Sequence, residues 1–377
     1  MGNSGDKLSS KGRSRPNLFR ITSLQLPMRL YVEPFTVHKR YALTLSRGTY
    51  TEATLAWVRI EEEGIEGWGE ACPFSVSEDC HQSLEDILVG LEVAKGILRR
   101  HSPWERQAIE AELLRAGIPS AARAAVDMAL HDWMGKRLGM PLWQVWGLDR
   151  SRIPPTTLTI GISTPQAARQ RALAWMEQTQ ARAFKIKLGS DLGLMADQNM
   201  LIAVQEVIPL GSLITVDANG AWTVEQSLSM SNWLAGQGVS YLEQPLERGQ
   251  EAKLITLWHE SKLPIFVDES CFDSRDISAL ADRVHGINIK LMKCGGLSEA
   301  WRMIHTAKAH GLQVMLGCYS NTALGNTAAA HLAPLVDYLD LDSHLNLTDD
   351  PFAGAILQDG CLLPTDRPGL GVELREE

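Results

Sequence analysis

The sequence predicts an α/β protein: a (β/α)8-type barrel with an α+β capping domain formed by the N-terminal region and the C-terminal tail. Eight short apolar runs (TTLTIGI, AFKIKLG, LITVDA, VSYLEQ, PIFVDE, GINIKL, LQVMLG, YLDLDS) alternate with helical segments over about 190 residues. Polar residues recur at the ends of consecutive runs, with Lys187, Asp217, Glu243, Asp268 and Lys290 separated by 30, 26, 25 and 22 residues. A parallel crossover needs a dozen or more connecting residues, so each step reads as one strand plus one helix. The strand count alone also fits an open doubly wound sheet. Carboxylates and lysines at the carboxyl ends of consecutive parallel strands are the arrangement in which barrel active sites are built.

In chain order, residues 1–17 are mostly Gly, Ser, Lys, Arg and Asn, a composition that predicts a disordered tail. Short alternating runs then predict a small antiparallel sheet (RITSLQL, MRLYVEPF, ATLAWVRIEE, IEGWGEA). The GxG at Gly67 reads as a strand turn. Segments 38–51 and 73–80 are long for hairpin turns and are candidate lids. Helices are expected over 82–100 and 104–116. Another begins with Ser120 as N-cap, placing Ala122, Ala125, Val126, Ala129, Leu130 and Trp133 on one face. The barrel follows Ile153-Pro154-Pro155, with helices over 165–180, 198–207, 223–234 and 297–310. AILQDGCLLP reads as a hairpin turning at Asp359-Gly360 and rejoining the N-terminal sheet. The domain boundaries are therefore 18–150 for the cap, with 346–377 returning to it, and 151–345 for the barrel.

At 377 residues the chain can bury a large core, and its net charge of −9 provides no basic field for nucleic acid or an anionic membrane. Six cysteines without a CxxC pair read as reduced thiols and favour the cytoplasm. No apolar run approaches the ~20 residues of a membrane span, and the opening residues lack a secretory h-region and a myristoylation pattern.

Side chains alternate across a strand, so Lys185 and Lys187 share one face. If that face is the barrel interior, like charge and partial burial lower the pKa of the lysine that faces the substrate, fitting it as a general base. Asp217, Glu243 and Asp268 end adjacent strands, and an all-carboxylate set with no His or Cys suits Mg²⁺. Lys290 lies across the barrel from Lys187, whereas Lys293 is out of phase and expected in solvent. A metal between opposed lysines suits proton removal beside a carboxylate and return to the other face, which is an epimerisation.

KIK, DANG, LEQP, VDES and NIKLMKCGG, in this order and with GWGEA and PGLGVE at the two ends, resemble the enolase superfamily and its muconate lactonising enzyme subgroup from about residue 27 onward. The resemblance implies Asp217, Glu243 and Asp268 as metal ligands and Lys187 and Lys290 as the acid/base pair, with Lys185 beside them. It implies Asn219 and Glu269 as the residues supporting those ligands. LDLDSH carries Asp340 and Asp342, similar to the Asp-x-Asp with which dipeptide epimerases hold the substrate's α-ammonium. Thr159 matches a substrate-contacting Thr, and Arg47 an Arg that some Ala-Glu epimerases use. The segment 317–322 departs from the best-known pattern, so the preferred side chains stay open. The implied partner is a small dipeptide, and a homo-oligomer is compatible with the sequence. The alternatives on this scaffold are o-succinylbenzoate synthase and N-acylamino acid racemase, neither of which needs a carboxylate pair for a free ammonium; muconate cycloisomerase and a non-catalytic binding barrel are further ones.

Overall fold

In the computed structural model, which describes residues 1–2, 27–77 and 80–376, β1 (Arg29–Leu45), β2 (Gly48–Glu62) and β3 (Ile65–Ala71) form an antiparallel sheet in that order. The strand expected in RITSLQL and, beyond Met1 and Gly2, the tail expected over 1–17 lie outside the described residues. Segment 38–51 is not a loop. The β1–β2 pairing resumes after a register shift between His38 and Leu43 and runs on to Leu45 opposite Gly48, helped by a Thr44–Thr49 hydroxyl contact of 2.9 Å. Segment 73–80 likewise contains paired strands, β4 (Phe74–Ser77) and β5 (Cys80–Gln82).

Four helices follow: α1 (Leu84–Leu98), α2 (Arg106–Arg115), α3 (Ser120–Leu138) and α4 (Leu142–Val145). A Ser83/Asp86 capping box starts α1. Ser120 is not the N-cap of α3; Pro119 is, and the Ser120 hydroxyl instead donates to Met292 O at 2.7 Å. Every residue from 120 to 135 except Arg123 is buried, so α3 is the packed spine between cap sheet and barrel rather than a one-faced amphipathic helix. Gly67 and Gly69 explain how close it lies. They are inside β3 rather than at a turn, and a Cβ on either would stand 2.0 Å from the carbonyl oxygen of Ala129 or Ala125 respectively.

Eight parallel strands then alternate with helices: β6 (Leu158–Ile160), β7 (Ala183–Lys187), β8 (Leu213–Asp217), β9 (Leu242–Glu243), β10 (Ile265–Val267), β11 (Gly286–Lys290), β12 (Gln313–Gly317) and β13 (Tyr338–Asp340). The sheet closes, because Thr157 N donates to Leu339 O at 2.9 Å and Thr156 bridges Leu339 in parallel. An open doubly wound sheet is thereby excluded. The outer helices are α5 (Pro165–Thr179), α6 (Leu194–Gln205), α7 (Val224–Gly236), α8 (Leu254–Glu260), α9 (Ser274–Leu280), the single turn α10 (Leu291–Cys294), α11 (Leu297–Ala309) and α12 (Ala323–Ala330).

After the barrel, Thr348 N donates to His38 O at 3.0 Å and β14 (Phe352–Ala353) brings Phe352 edge-on to Trp57 at 5.4 Å, which ties the tail to the cap. The hairpin of β15 (Ile356–Gln358) and β16 (Cys361–Leu363) does turn at Asp359-Gly360, both with positive φ. It does not rejoin the N-terminal sheet: Thr156 N donates to Gly360 O at 2.8 Å, which seats it at the foot of β6. β17 (Glu373–Leu374) pairs with β14 instead. Among the described residues no helix is long and apolar enough to cross a membrane.

Candidate functional site

Period-two alternation fixes which side chains enter the barrel. From β7 come Lys185 and Lys187; from the ends of β8 and β9 come Asp217 and Glu243; Asp268 follows β10, and Lys290 ends β11. All six are buried. Buried charges require partners, and these find one another. Lys187 Nζ donates to Asp217 Oδ2 at 2.5 Å. Lys290 Nζ lies 2.7 Å from Asp268 Oδ2. Lys185 Nζ donates to Asp340 Oδ2 at 2.7 Å and lies 2.7 Å from Glu243 Oε2, the latter an ion pair without hydrogen-bond geometry.

One expectation about the lysines fails. Lys293 is not in solvent: it is buried, with Nζ 2.5 Å from Asp268 Oδ1 and bonded to the carbonyls of Asp268, Cys271 and Asn288. The chain leaves the strand at Lys290 and turns into α10, so the strand phase that pointed Lys293 outward no longer applies. Neither Lys185 nor Lys290 has its pKa lowered. Burial acts in that direction, but Asp340, Glu243 and Asp217 outweigh it and hold Lys185 well above the ordinary lysine value. Asp268 does the same for Lys290.

The carboxylates show the complementary imbalance. Burial together with the fields of Asp217 and Asp268 pushes Glu243 up to about 7. For Asp217, burial is outweighed by Lys187 and Lys185, which bring it to about 2. In Asp268 burial is outweighed by Lys290 and Lys293, which hold it far below the carboxylate range. As they stand, no group of three or more Asp, Glu, His or Cys side chains among the described residues is gathered to hold a metal; ammonium groups sit on their oxygens. The donor chemistry nonetheless fits a hard divalent cation. Among the described residues Glu269 Oε2 and Asn219 Oδ1 are buried without hydrogen-bond partners, and Asn219 Nδ2 bridges Asp217 Oδ2 and Glu269 Oε1 at 3.2 Å each. Displacing the ammonium groups would leave three mutually repelling carboxylates for a cation to neutralise.

Above this layer is a cavity of about 1050 Å³ whose walls include Lys187, Lys290, Asn219, Thr159, Asp340, Asp342 and Arg47. Lys185, Asp217, Glu243, Asp268 and Glu269 do not line it and belong to the layer beneath. Arg47 arrives from the tip of the β1–β2 hairpin, donating to Glu269 Oε1 at 2.6 Å and to Asn219 O at 3.3 Å. The cap thus reaches the same residues as the barrel. At the strand-β13 end, Asp340 is bonded by Thr157 Oγ1 at 2.9 Å in addition to Lys185, whereas Asp342 accepts from Thr159 N at 2.6 Å. Burial and the neighbouring Asp340 raise Asp342 to about 6.

Three further contributors went unread in the sequence. Asn288 donates to Glu243 Oε1 at 2.8 Å; it stands two residues before Lys290, so strand alternation could have found it. Gln244 Oε1 accepts from Asp268 N at 2.9 Å. Glu70, in the cap motif GWGEA, accepts from Asn321 Nδ2 at 2.8 Å and from the N–H of Thr322, the N-cap residue of α12, and burial pushes it up to about 7.

Residues 30–147 match the mandelate racemase/muconate lactonizing enzyme N-terminal domain, and residues 167–377 the enolase C-terminal domain-like family. A hydrophobic dipeptide epimerase of a Flavobacteria bacterium is 40% identical over 356 residues, covering 93% of this chain and 99% of that protein. The L-Ala-D/L-Glu epimerase of Bacteroides thetaiotaomicron is 36% identical over 92% of this chain and 88% of its own length. Among solved structures, the dipeptide epimerase of Enterococcus faecalis complexed with Mg and L-Leu-L-Tyr superposes with a TM-score of 0.85 at 30% identity, covering 92% of this chain and 99% of that one. The chain belongs to the enolase superfamily, with both domains of the mandelate racemase/muconate lactonizing enzyme family, and its named relatives are dipeptide epimerases.

Proposed function

We propose that this protein is a Mg²⁺-dependent dipeptide epimerase that inverts one α-carbon of an L,L-dipeptide to give the L,D-dipeptide. The observation that carries the reading is one cavity lined by two lysines from opposite strands and, at its β13 end, by Asp342, to which no cationic side chain among the described residues is hydrogen-bonded. Asp217, Glu243 and Asp268 would hold the ion, with Asn219 and Glu269 orienting them. Mg²⁺, when bound, supplies a Lewis acid for the substrate's carboxylate.

The chain's own residues do the rest. One of Lys187 and Lys290, as the free amine, takes the α-proton, and the C–H electron pair moves onto the carboxylate oxygens. The other, as ammonium, returns a proton to the opposite face, and the two exchange roles for the reverse reaction. Asp342 receives the substrate's α-ammonium, and Thr159 fixes its orientation through the backbone N–H. Asp340 has a second duty, since Lys185 claims one of its oxygens. Arg47 closes the cap hairpin on Glu269. The six free cysteines support a reducing compartment such as the cytoplasm.

A panel of L-Ala-L-X dipeptides in D₂O tests the reading by mass spectrometry. Deuterium at one α-carbon together with the second epimer is the expected result. Turnover of N-acylamino acids with no exchange in any free dipeptide would replace it with the acylamino acid racemase reading.

A further inference from the structure

The geometry points to Tyr319 as the positioning residue for Lys290: its ring face is the seat that keeps this ammonium aimed into the cavity once Asp268 is committed elsewhere. The inference rests on the reading of Lys290 as one of the two proton carriers.

Asp268 is overdrawn. Its Oδ2 is 2.7 Å from Lys290 and its Oδ1 is 2.5 Å from Lys293, which is buried and has three carbonyl partners as well. If Asp268 turns toward a cation, Lys293 keeps those carbonyls. Among the described residues the other partner of the Lys290 ammonium is the Tyr319 ring, whose centroid is 4.4 Å from Nζ. That is well inside the range of a cation–π interaction. Such a seat differs in kind from a carboxylate. It orients the ammonium through the ring quadrupole without occupying any N–H donor, so the proton that must be delivered stays available.

The ring is itself held from the cap. Phe74 stacks on it at 4.9 Å with planes within 4°. Its backbone N–H donates to Asn321 Oδ1 at 3.1 Å, and the amide of Asn321 is anchored on buried Glu70 of β3 at 2.8 Å. The segment 317–322, where this chain departs from the family's best-known pattern, is thus fixed by cap residues on one side and carries the seat for a barrel lysine on the other. The phenol oxygen is buried and has no hydrogen-bond partner among the described residues. Removing it therefore breaks no bond within the protein, which makes Tyr319→Phe a clean control: it keeps the ring and loses only the hydroxyl.

The test separates the two faces. Deuterium incorporation is followed from the L,L and from the L,D epimer, so that abstraction by Lys187 and by Lys290 is read independently. Tyr319→Leu should slow exchange on the Lys290 face about tenfold, within the roughly two- to thirtyfold range of a cation–π contact, and leave the other face within about twofold. Tyr319→Phe should leave both within about twofold. Equal loss on both faces in Tyr319→Leu would mean a merely structural role, and Tyr319→Phe as impaired as Tyr319→Leu would assign the effect to the hydroxyl; either result overturns the proposal. A substrate-free measurement separates its failure from failure of the functional reading. With ¹³C-labelled lysine, assigned through Lys290→Arg, the Lys290 ε-CH₂ protons should show an upfield ring-current displacement in the wild type and Tyr319→Phe that disappears in Tyr319→Leu. Absence of that displacement in the Mg²⁺-loaded wild type removes Tyr319 as the seat, whether or not any dipeptide is turned over. Displacement without dipeptide exchange upholds the seat and sinks only the choice of substrate.

Discussion

The ammonium of Lys185 donates to Asp340 Oδ2 at 2.7 Å, joining β7 to β13 inside the barrel. On its other side is Glu243 Oε2, also at 2.7 Å, and Asp217 Oδ2 is 3.3 Å away. Lys185 therefore lies between the carboxylates assigned to the metal and an aspartate assigned to the substrate, fully buried. Removing one partner from a buried ionic cluster leaves uncompensated charge, at a cost of about 3–5 kcal/mol. Lys185→Met should lose that much stability at neutral pH in urea unfolding of the metal-free protein; a loss under about 1 kcal/mol would show that Lys185 does not neutralise the cluster.

Asp342 is left as the main acceptor for the substrate's ammonium. Asp342→Asn should lower kcat/KM for free dipeptides by about 30-fold or more, the equivalent of roughly 2–5 kcal/mol for a desolvated charge pair. N-acetylated dipeptides, which lack the cation, should be poor substrates and lose much less. Equal losses in both classes would remove Asp342 from ammonium binding. The same group sets a pH dependence. Burial and Asp340 raise it to about 6. Binding needs the ionised form, so kcat/KM for free dipeptides should be full above that pH and fall as pH drops through it. An acid limb that persists in Asp342→Asn belongs to another group.

Chelation should abolish turnover, and Mg²⁺ should restore it, because three buried carboxylates without soft ligands suit a hard divalent ion. Lys187→Ala and Lys290→Ala should each stop epimerisation while one epimer still exchanges its α-proton. A Lys290→Ala enzyme that epimerises at the wild-type rate would transfer its role to Lys293 or to water.

Arg47 reaches the barrel through its guanidinium, which meets Glu269 Oε1 at 2.6 Å. If it closes the cap without touching the reacting carbon, Arg47→Ala should raise KM about tenfold and change kcat little. A double-mutant cycle with Glu269→Gln should show strong non-additivity. Strict additivity would mean that the ion pair does no work in closure.

Gly69 faces Ala125 so closely that a Cβ would stand 2.0 Å from its carbonyl oxygen, which is backbone and cannot move aside cheaply. Gly69→Ala should destabilise the protein by about 3 kcal/mol, at the upper end for overpacking, as measured by the urea midpoint. A neutral substitution would mean that α3 is free to shift on the cap sheet.

What the sequence by itself determined was everything carried by a local period. The steps of 30, 26, 25 and 22 residues announced strand–helix repeats, and the alternation in AFKIKLG put Lys185 and Lys187 on one face of their strand. Such periods survive folding because burial enforces them residue by residue. Closure of the sheet, by contrast, depended on Thr157 meeting Leu339 across 182 residues. The tertiary structure alone turned segment 38–51 from a loop into a hairpin, since its pairing resumes after a register shift that alternation does not reveal. It alone brought Lys293 inward, because one turn of α10 interrupts the strand phase. It also decided the protonation of the site. Like-charged lysines two residues apart read as mutually destabilising, yet in the fold the carboxylates of three other strands, Asp217, Glu243 and Asp340, surround Lys185, and Coulomb interactions depend on distance in space rather than on separation along the chain.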